Sequence, residues 1–449
     1  MPAGYRSLSA ATSLALVVSF MPSIIGAVVT FPPNGAKDLP TDTQIRMMFS
    51  SIPISLGTGR IVVKRSVDGS VVETLDTEDA CITNSVGGRL FRYKPFSFTG
   101  HTLTIGLHQG VLKSDESYRV SVSPGIVLGE HGKTLPEIAD GYSWTFRTRP
   151  SVQRGKTNLT VSSDGSGDFC TLQGAVDDVP DDNSFPVRIQ VKKGIYNGLV
   201  YLGQGKNHVH VVGESREGTH IEGLNNNALN PSRVGRALFG VDANDFSLEN
   251  LTIQNTTPYK GSQAEALRIN GEHCVLKNTT FLSCQDTLLL GGSVYVTNCR
   301  VEGDVDFIWG EGRAFFERCE IRAIHNGYFL QARNPLENRG YVFHQCKLDH
   351  ANGVDHCLLA RIDADRFPNS SVAFINCVMS DCIPTKGWEI KGTNTVGIRF
   401  GEYGSRDLSG NPTDVSSRIP ESRQLSREEA ETLANPQIFF STSSNWHPF

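Results

Sequence analysis

One six-residue word recurs six times in the second half of the chain: LENLTI at Leu248, LKNTTF at Leu276, VTNCRV at Val296, FERCEI at Phe316, FHQCKL at Phe343 and FINCVM at Phe374. The intervals are 28, 20, 20, 27 and 31 residues. Each word carries an apolar residue, two positions suited to a bend, then two apolar or small residues flanking an outward one. Recurrence at this period, in strand-like words with no recurring helix, marks a solenoid whose coils bury their apolar faces only by stacking. An all-β, right-handed parallel β-helix is the expected solution, and 44 glycines suit its many turns. Stacking would align Asn250, Asn278, Asn298, Arg318, Gln345 and Asn376 as a polar ladder at one corner. It would also place Cys299, Cys319, Cys346 and Cys377 inside, as thiols filling the core. Zinc is the sharper reading of four cysteines, but no CxxC pair or HExxH helix accompanies them, so no metal is expected. Disulfides between neighbouring rungs stay open.

The chain ahead of the repeats has a different texture, and 449 residues are too many for one ordinary core. Residues 28–150 hold short alternating runs at the spacing of a β-sandwich: TQIRMMFS, GRIVVKRS, HTLTIGLH, SYRVSVSPGIV and GYSWTFRT. The opening FPPNGAKDLPTDTQIRMMFS and the closing YSWTFRT resemble bacterial-type immunoglobulin-like modules attached to exported enzymes. No catalytic constellation lies there, so spacing, binding or a purely structural role are the expectations. Residues 1–27 read as an export signal, with Arg6 ahead of the apolar LALVVSFM and the small pair Gly26-Ala27 as a cleavage site. That apolar run is shorter than the ~20 residues a bilayer demands. The division expected is a signal peptide (1–27), an Ig-like domain (28–150) and a β-helix domain (151–449), in a secreted, extracellular monomer. A net charge of −5 argues against nucleic acid as a partner, and no second apolar run points to a membrane.

Two acidic words stand inside the repeats, CQDTLLL and VDFIWG, whose aspartates Asp286 and Asp306 are 20 residues apart. The coil there is also 20 residues long, so the two fall at equivalent places on adjacent coils. Neighbouring strands lie ~4.8 Å apart, which brings the carboxylates together on one face. Like charges that close push one pKa up and leave a protonated acid beside a carboxylate. Such a pair suits hydrolysis by attack of the carboxylate on a carbonyl. An exposed polar stripe is the plain alternative, and calcium held with Glu302, Asp304 and Glu311 is another. Gln263 and Gln285 could donate to an oxyanion, and Arg361 could fix one carboxylate in its ionised form. No GxSxG elbow occurs, which disfavours a serine esterase. His325, His350 and His356 read as surface or turn residues.

The words SDGSGDFCTLQGAV, VKKGIYNGLV, GSQAEALR, CQDTLLL, VDFIWG, YFLQAR, LLARIDAD, CIPTKGW, FGEY and NWHP occur in the order of the pectin methylesterases (pectinesterases). The resemblance covers about residues 157 to 449. It implies a cofactor-free, metal-free β-helix enzyme that demethylesterifies methyl-esterified pectin. Carried over residue by residue, it makes Asp306 the nucleophile, Asp286 the general acid and then base, Gln263 and Gln285 the oxyanion donors, and Arg361 the residue orienting Asp306 and the substrate. Departures concern substrate contacts. Asp363 replaces the family's sugar-packing tryptophan, Leu289 replaces a tyrosine, and Gly198 replaces a glutamate. Trp388 and Trp309 are the candidates to supply sugar stacking, with core packing as the equal alternative for each, and Asp363 stands beside Arg361 as a further substrate-binding candidate. The alternatives are a non-catalytic polysaccharide-binding β-helix and a calcium-dependent pectate lyase.

Overall fold

The computed structural model describes residues 28–449 except 136–137, 152–154, 442–445, 447 and 449. The expected export signal, residues 1–27, lies outside the described residues. From Asn158 onward the chain climbs a parallel β-helix with three strand faces per coil. The first face runs in order through Asn158–Val161, Val187–Val191, Val209–Gly213, Ser247–Glu249, Cys274–Lys277, Ser293–Thr297, Arg313–Glu317, Tyr341–His344, Ser371–Ile375, Arg399–Tyr403 and Ser422–Gln424. The second and third faces form one further sheet, because Arg300–Gly310 and Glu320–Ala332 are continuous strands that turn from one face to the other.

Each repeated word spans the corner between the first and second faces. All six corner residues, Asn250, Asn278, Asn298, Arg318, Gln345 and Asn376, have φ between 45° and 60°. A left-handed residue here turns the chain sharply, and asparagine tolerates it best. The ladder also bonds to itself, as Asn278 Nδ2 donates to Asn250 Oδ1 at 2.6 Å. The residue after the corner points inward. Cys299, Cys319, Cys346 and Cys377 are buried and free of disulfides, with each sulfur within 3.6 Å of backbone carbonyl oxygens. Three residues earlier in each word, Phe316, Phe343 and Phe374 stack with ring centroids 4.5 and 4.7 Å apart. The solenoid core is therefore a set of ladders, each rung supplying the same kind of side chain at the same place.

The open first coil is covered by the helix Leu172–Asp178, which buries Leu172, Ala175 and Val176 and is capped by Thr171. Against this end packs a two-sheet β unit. Its sheets contain, among others, Ile45–Met48 with Thr102–Ile105, and Arg60–Arg65 with Ser117–Val122 and Tyr142–Thr148. These five strands fall within the five runs read from the sequence. Both sheets contribute to one core around Met47, Val63, Leu103, Val120 and Trp144. The unit is anchored to the solenoid. Asp42 accepts from Cys170 N, Thr171 N and Thr171 Oγ1 at 3.0, 2.7 and 2.8 Å. Asn230 clasps Arg92, accepting from its N at 2.9 Å and donating to its O at 2.8 Å.

Candidate active site

The second and third faces meet at a junction that carries the polar residues of interest. On consecutive coils the third-face strands are Val200–Leu202, Phe239–Val241, Leu267–Ile269 and Leu288–Leu290, followed by the ends of Arg300–Gly310 and Glu320–Ala332, and by Cys357–Asp363. Pairing is in register: Leu288 with Ile308, Leu289 with Trp309, Trp309 with Gln331. Leu330 pairs with Ala360, which sets Gln331 beside Arg361. The equal coil lengths thus place Asp286 level with Asp306.

Both aspartates have left-handed backbones, φ 67° at Asp286 and 51° at Asp306. A left-handed non-glycine residue is strained by roughly 1 kcal/mol or more. Gln285 and Asp286 sit in a turn between Thr280–Leu282 and Leu288–Leu290, not in a flat strand, so the alternation that sends consecutive side chains to opposite faces does not apply to them.

The two carboxyl groups have different neighbours. Asp306 is gripped by Arg361, whose Nε donates to Oδ1 at 2.8 Å and Nη2 to Oδ2 at 2.5 Å. Gln331 Nε2 donates to the same Oδ2 at 2.9 Å, and Arg333 Nε fixes that amide by donating to Gln331 Oε1 at 2.7 Å. Burial pushes the Asp306 carboxyl up, and the hydrogen bond and charge of Arg361 pull it back. Asp286 shares a single guanidinium with a second acid. Arg236 Nη2 donates to Asp286 Oδ2 at 2.7 Å, and its Nε donates to Glu265 Oε1 and Oε2 at 2.8 and 3.0 Å. Burial pushes Asp286 well above the ordinary carboxylate range, helped by the charges of Glu265 and Asp306 and opposed by Arg236. Glu265, fully buried, is raised by the same desolvation. Of the pair, Asp286 is the better proton carrier and Asp306 the better anion.

Gln263 and Gln285 are half-buried, and their backbones adjoin where Ala264 N donates to Gln285 O at 3.1 Å. Asp363 shares the outward side of its strand with Arg361, and its Oδ1 accepts from Arg366 N at 3.3 Å. The two tryptophans do not meet the expectation of sugar stacking. Trp388 is 0% exposed inside the solenoid, stacked on Phe400 at 4.6 Å, with Nε1 donating to Glu402 Oε1 at 3.3 Å. Trp309 is 2% exposed and covered by cations, with the guanidiniums of Arg333, Arg236 and Arg233 at 4.5, 5.2 and 5.3 Å from its ring centre. It organises arginines rather than sugars.

The sequence reading missed Arg236, Glu265, Gln331 and Arg333. Gln331 and Arg333 stand in YFLQAR, and Glu265 in QAEALR, so word position alone could have flagged them. Arg236 had no such signal. The structure also gives His325 partners: Nδ1 lies 3.2 Å from Asp304 Oδ2, and the ring stacks on half-exposed Tyr259 at 3.7 Å. The proposed calcium ligands do not converge. Glu302 is paired with Arg300, Asp304 with His325, and Glu311 with Arg233. Among the described residues no cluster of three His, Cys, Asp or Glu side chains could hold a metal ion.

Comparison with known proteins adds the family. The pectinesterase family model matches residues 158–438. The chain belongs to the pectinesterase family. This family member, a carboxylic ester hydrolase, is 35% identical to pectinesterase 31 of Arabidopsis thaliana over 288 residues, 61% of this chain and 89% of that one. It is 30% identical to pectinesterase 1 of Olea europaea over 285 residues, 61% and 76% of the two chains. In fold it is similar to the pectin methylesterase from carrot, with a TM-score of 0.59 at 22% identity, covering 65% of this chain and 95% of the other. The Erwinia chrysanthemi pectin methylesterase PemA gives 0.54 at 22% identity, covering 67% and 99%.

Proposed function

We propose that this pectinesterase removes methyl esters from the galacturonan of pectin, leaving pectate and methanol, with Asp306 as nucleophile and Asp286 as acid and base. The observation that carries this reading is the unequal treatment of two carboxyl groups on adjacent coils. Asp306 is clamped as an anion by Arg361 and Gln331, while Asp286 competes with Glu265 for Arg236.

An Asp306 oxygen attacks the C6 ester carbon, and the carbonyl electrons move onto oxygen. Gln263 and Gln285 donate hydrogen bonds to that oxyanion. As it collapses, the bond to the methoxy oxygen breaks, and Asp286 gives its proton to the departing oxygen, releasing methanol. Asp286, now a carboxylate, takes a proton from water as the water attacks the acyl-enzyme carbonyl. The acyl bond to Asp306 breaks, freeing the galacturonate carboxylic acid group and restoring both aspartates. Arg361 keeps Asp306 ionised at the start and receives its charge again at the end.

We further assign the catalytic domain to residues 151–449 and an Ig-like module to 28–150, in a monomer exported by residues 1–27 and working outside the cell. Asp306→Ala tests the chemistry. Methanol release from methylated pectin is expected to vanish while the circular dichroism spectrum is retained, and undiminished turnover by the folded variant removes the proposed nucleophile.

A further inference from the structure

The loop of residues 256–262 leaves one coil and lands on another. It joins the second-face strand Thr252–Asn255 to the third-face strand Leu267–Ile269. At its tip Tyr259 stacks on His325, with ring centroids 3.7 Å apart and planes 22° from parallel. His325 belongs to Glu320–Ala332, the third strand along the sheet from Thr252–Asn255. The two strands between them, Thr280–Leu282 and Arg300–Gly310, are those of the coils that carry Asp286 and Asp306. Three strand steps make ~14 Å, so the loop bridges both acid-bearing coils.

Both ends of the bridge are held. At the loop's base Thr257 N donates to Asn255 Oδ1 at 3.1 Å and Thr257 Oγ1 to Asn225 O at 3.1 Å. At its tip Gly261 N donates to Pro258 O at 2.8 Å, closing a turn around Tyr259. On the far side His325 Nδ1 lies 3.2 Å from Asp304 Oδ2, while Asp304 Oδ1 accepts from Val305 N at 2.6 Å. Asp304 is buried and stands two residues before Asp306, at most ~7 Å along the chain. The stack is therefore within reach of a sugar next to, or one removed from, the ester that Asp306 attacks.

Tyr259 and Phe185 are the only exposed phenylalanine, tyrosine or tryptophan residues among those described, and Phe185 lies far from the acids, ahead of the first-face strand Val187–Val191. Tyr259 is 48% exposed although His325 covers one face of its ring. Its other neighbour is Lys260, whose Nζ is 5.0 Å from the ring centre, a weak contact of an exposed ammonium that a sugar can displace. Neither Tyr259 nor His325 falls in any word that carries the family resemblance.

We propose that Tyr259, backed by His325, is a galacturonan-binding platform: one sugar of the pectin chain lies with its C–H face on the ring while a neighbouring sugar presents its methyl ester to Asp306. The inference rests on the esterase reading above. A flat apolar ring with a polar edge suits a pyranose, and a ring already stacked in place gives up little freedom on binding. It supplies the stacking surface that Asp363 and Leu289 do not, and that Trp388 and Trp309 bury.

The test compares the full chain with Tyr259→Ala and Tyr259→Phe in methanol release from methylated pectin, with folding checked by circular dichroism. In Tyr259→Ala KM should rise about tenfold while kcat falls far less. Tyr259→Phe, which restores the ring face, should recover the lost affinity. A folded Tyr259→Ala protein with unchanged KM overturns the proposal. So does a fall in kcat alone, which would make Tyr259 a positioning residue for Gln263, four residues along, and so does a Tyr259→Phe protein as impaired as Tyr259→Ala. Calorimetric binding of methyl-esterified oligogalacturonides in the Asp306→Ala background gives a second readout that needs no turnover. There, adding Tyr259→Ala should weaken binding by a similar factor, and equal affinities overturn the platform. No methanol from the unaltered protein would instead overturn the esterase reading, with the binding measurement still deciding the platform.

Discussion

Arg361 offers the most direct measure of how the site keeps a buried carboxylate charged. Its guanidinium makes two well-formed bonds, one to each oxygen of Asp306, in a pair whose side chains are 29% and 7% exposed. Lysine keeps the charge but not the planar fork, so Arg361→Lys loses one charge-assisted bond, about 1.5 kcal/mol. At 1.4 kcal/mol per factor of ten, kcat/KM should fall roughly tenfold. Arg361→Ala leaves a largely buried carboxylate with Gln331 as its remaining donor. Breaking a buried pair costs about 3 to 5 kcal/mol, and the partial exposure of the arginine favours the lower end, a loss of roughly a hundredfold. The pH profile carries the sharper signature. Burial raises the Asp306 carboxyl and Arg361 opposes that rise, so removing Arg361 raises it further. The nucleophile must be ionised, and activity is lost as pH falls through its pKa. The acid limb of kcat/KM should therefore move to higher pH in Arg361→Ala and less in Arg361→Lys. The assay is initial-rate methanol release across the pH range with folding checked at each end. An acid limb that stays put or moves to lower pH in Arg361→Ala refutes the assignment of Asp306 as the charged partner.

Glu265→Gln removes a buried charge that raises Asp286 and leaves Arg236, which lowers it. Asp286 must be protonated to release methanol, so the alkaline limb of kcat should move to lower pH; an unmoved limb in the same assay would disconnect Glu265 from the acid. Trp388→Ala should cost about 3 to 5 kcal/mol of stability, seen as a lowered Tm, because the ring fills the solenoid interior between Phe374 and Phe400. At temperatures where the variant stays folded, KM for pectin should be unchanged, and a raised KM would return Trp388 to the substrate.

Much of the fold was written in local pattern. The corner residues from Asn250 to Asn376 announce left-handed turns because a short polar side chain tolerates that backbone, and Arg318 and Gln345 follow because the repeat forces the same geometry. The cysteine ladder was legible for the same reason. Trp388 was left between sugar and core because a tryptophan in a loop-like word, CIPTKGW, looks the same whichever its ring faces. Only the neighbouring rungs, Phe374 and Phe400, decide which way it turns.

The chain's periodicity alone determined that Asp286 would stand beside Asp306, since equal coil lengths carry equivalent positions into register whatever the rest of the protein does. What that pattern could not hold is the difference between the two acids. Arg236 reaches Asp286 across 50 residues of sequence from a loop that Asn230 ties to Arg92 of the N-terminal unit. No repeat relates those parts, so only the tertiary packing of that loop decided which carboxyl shares its cation.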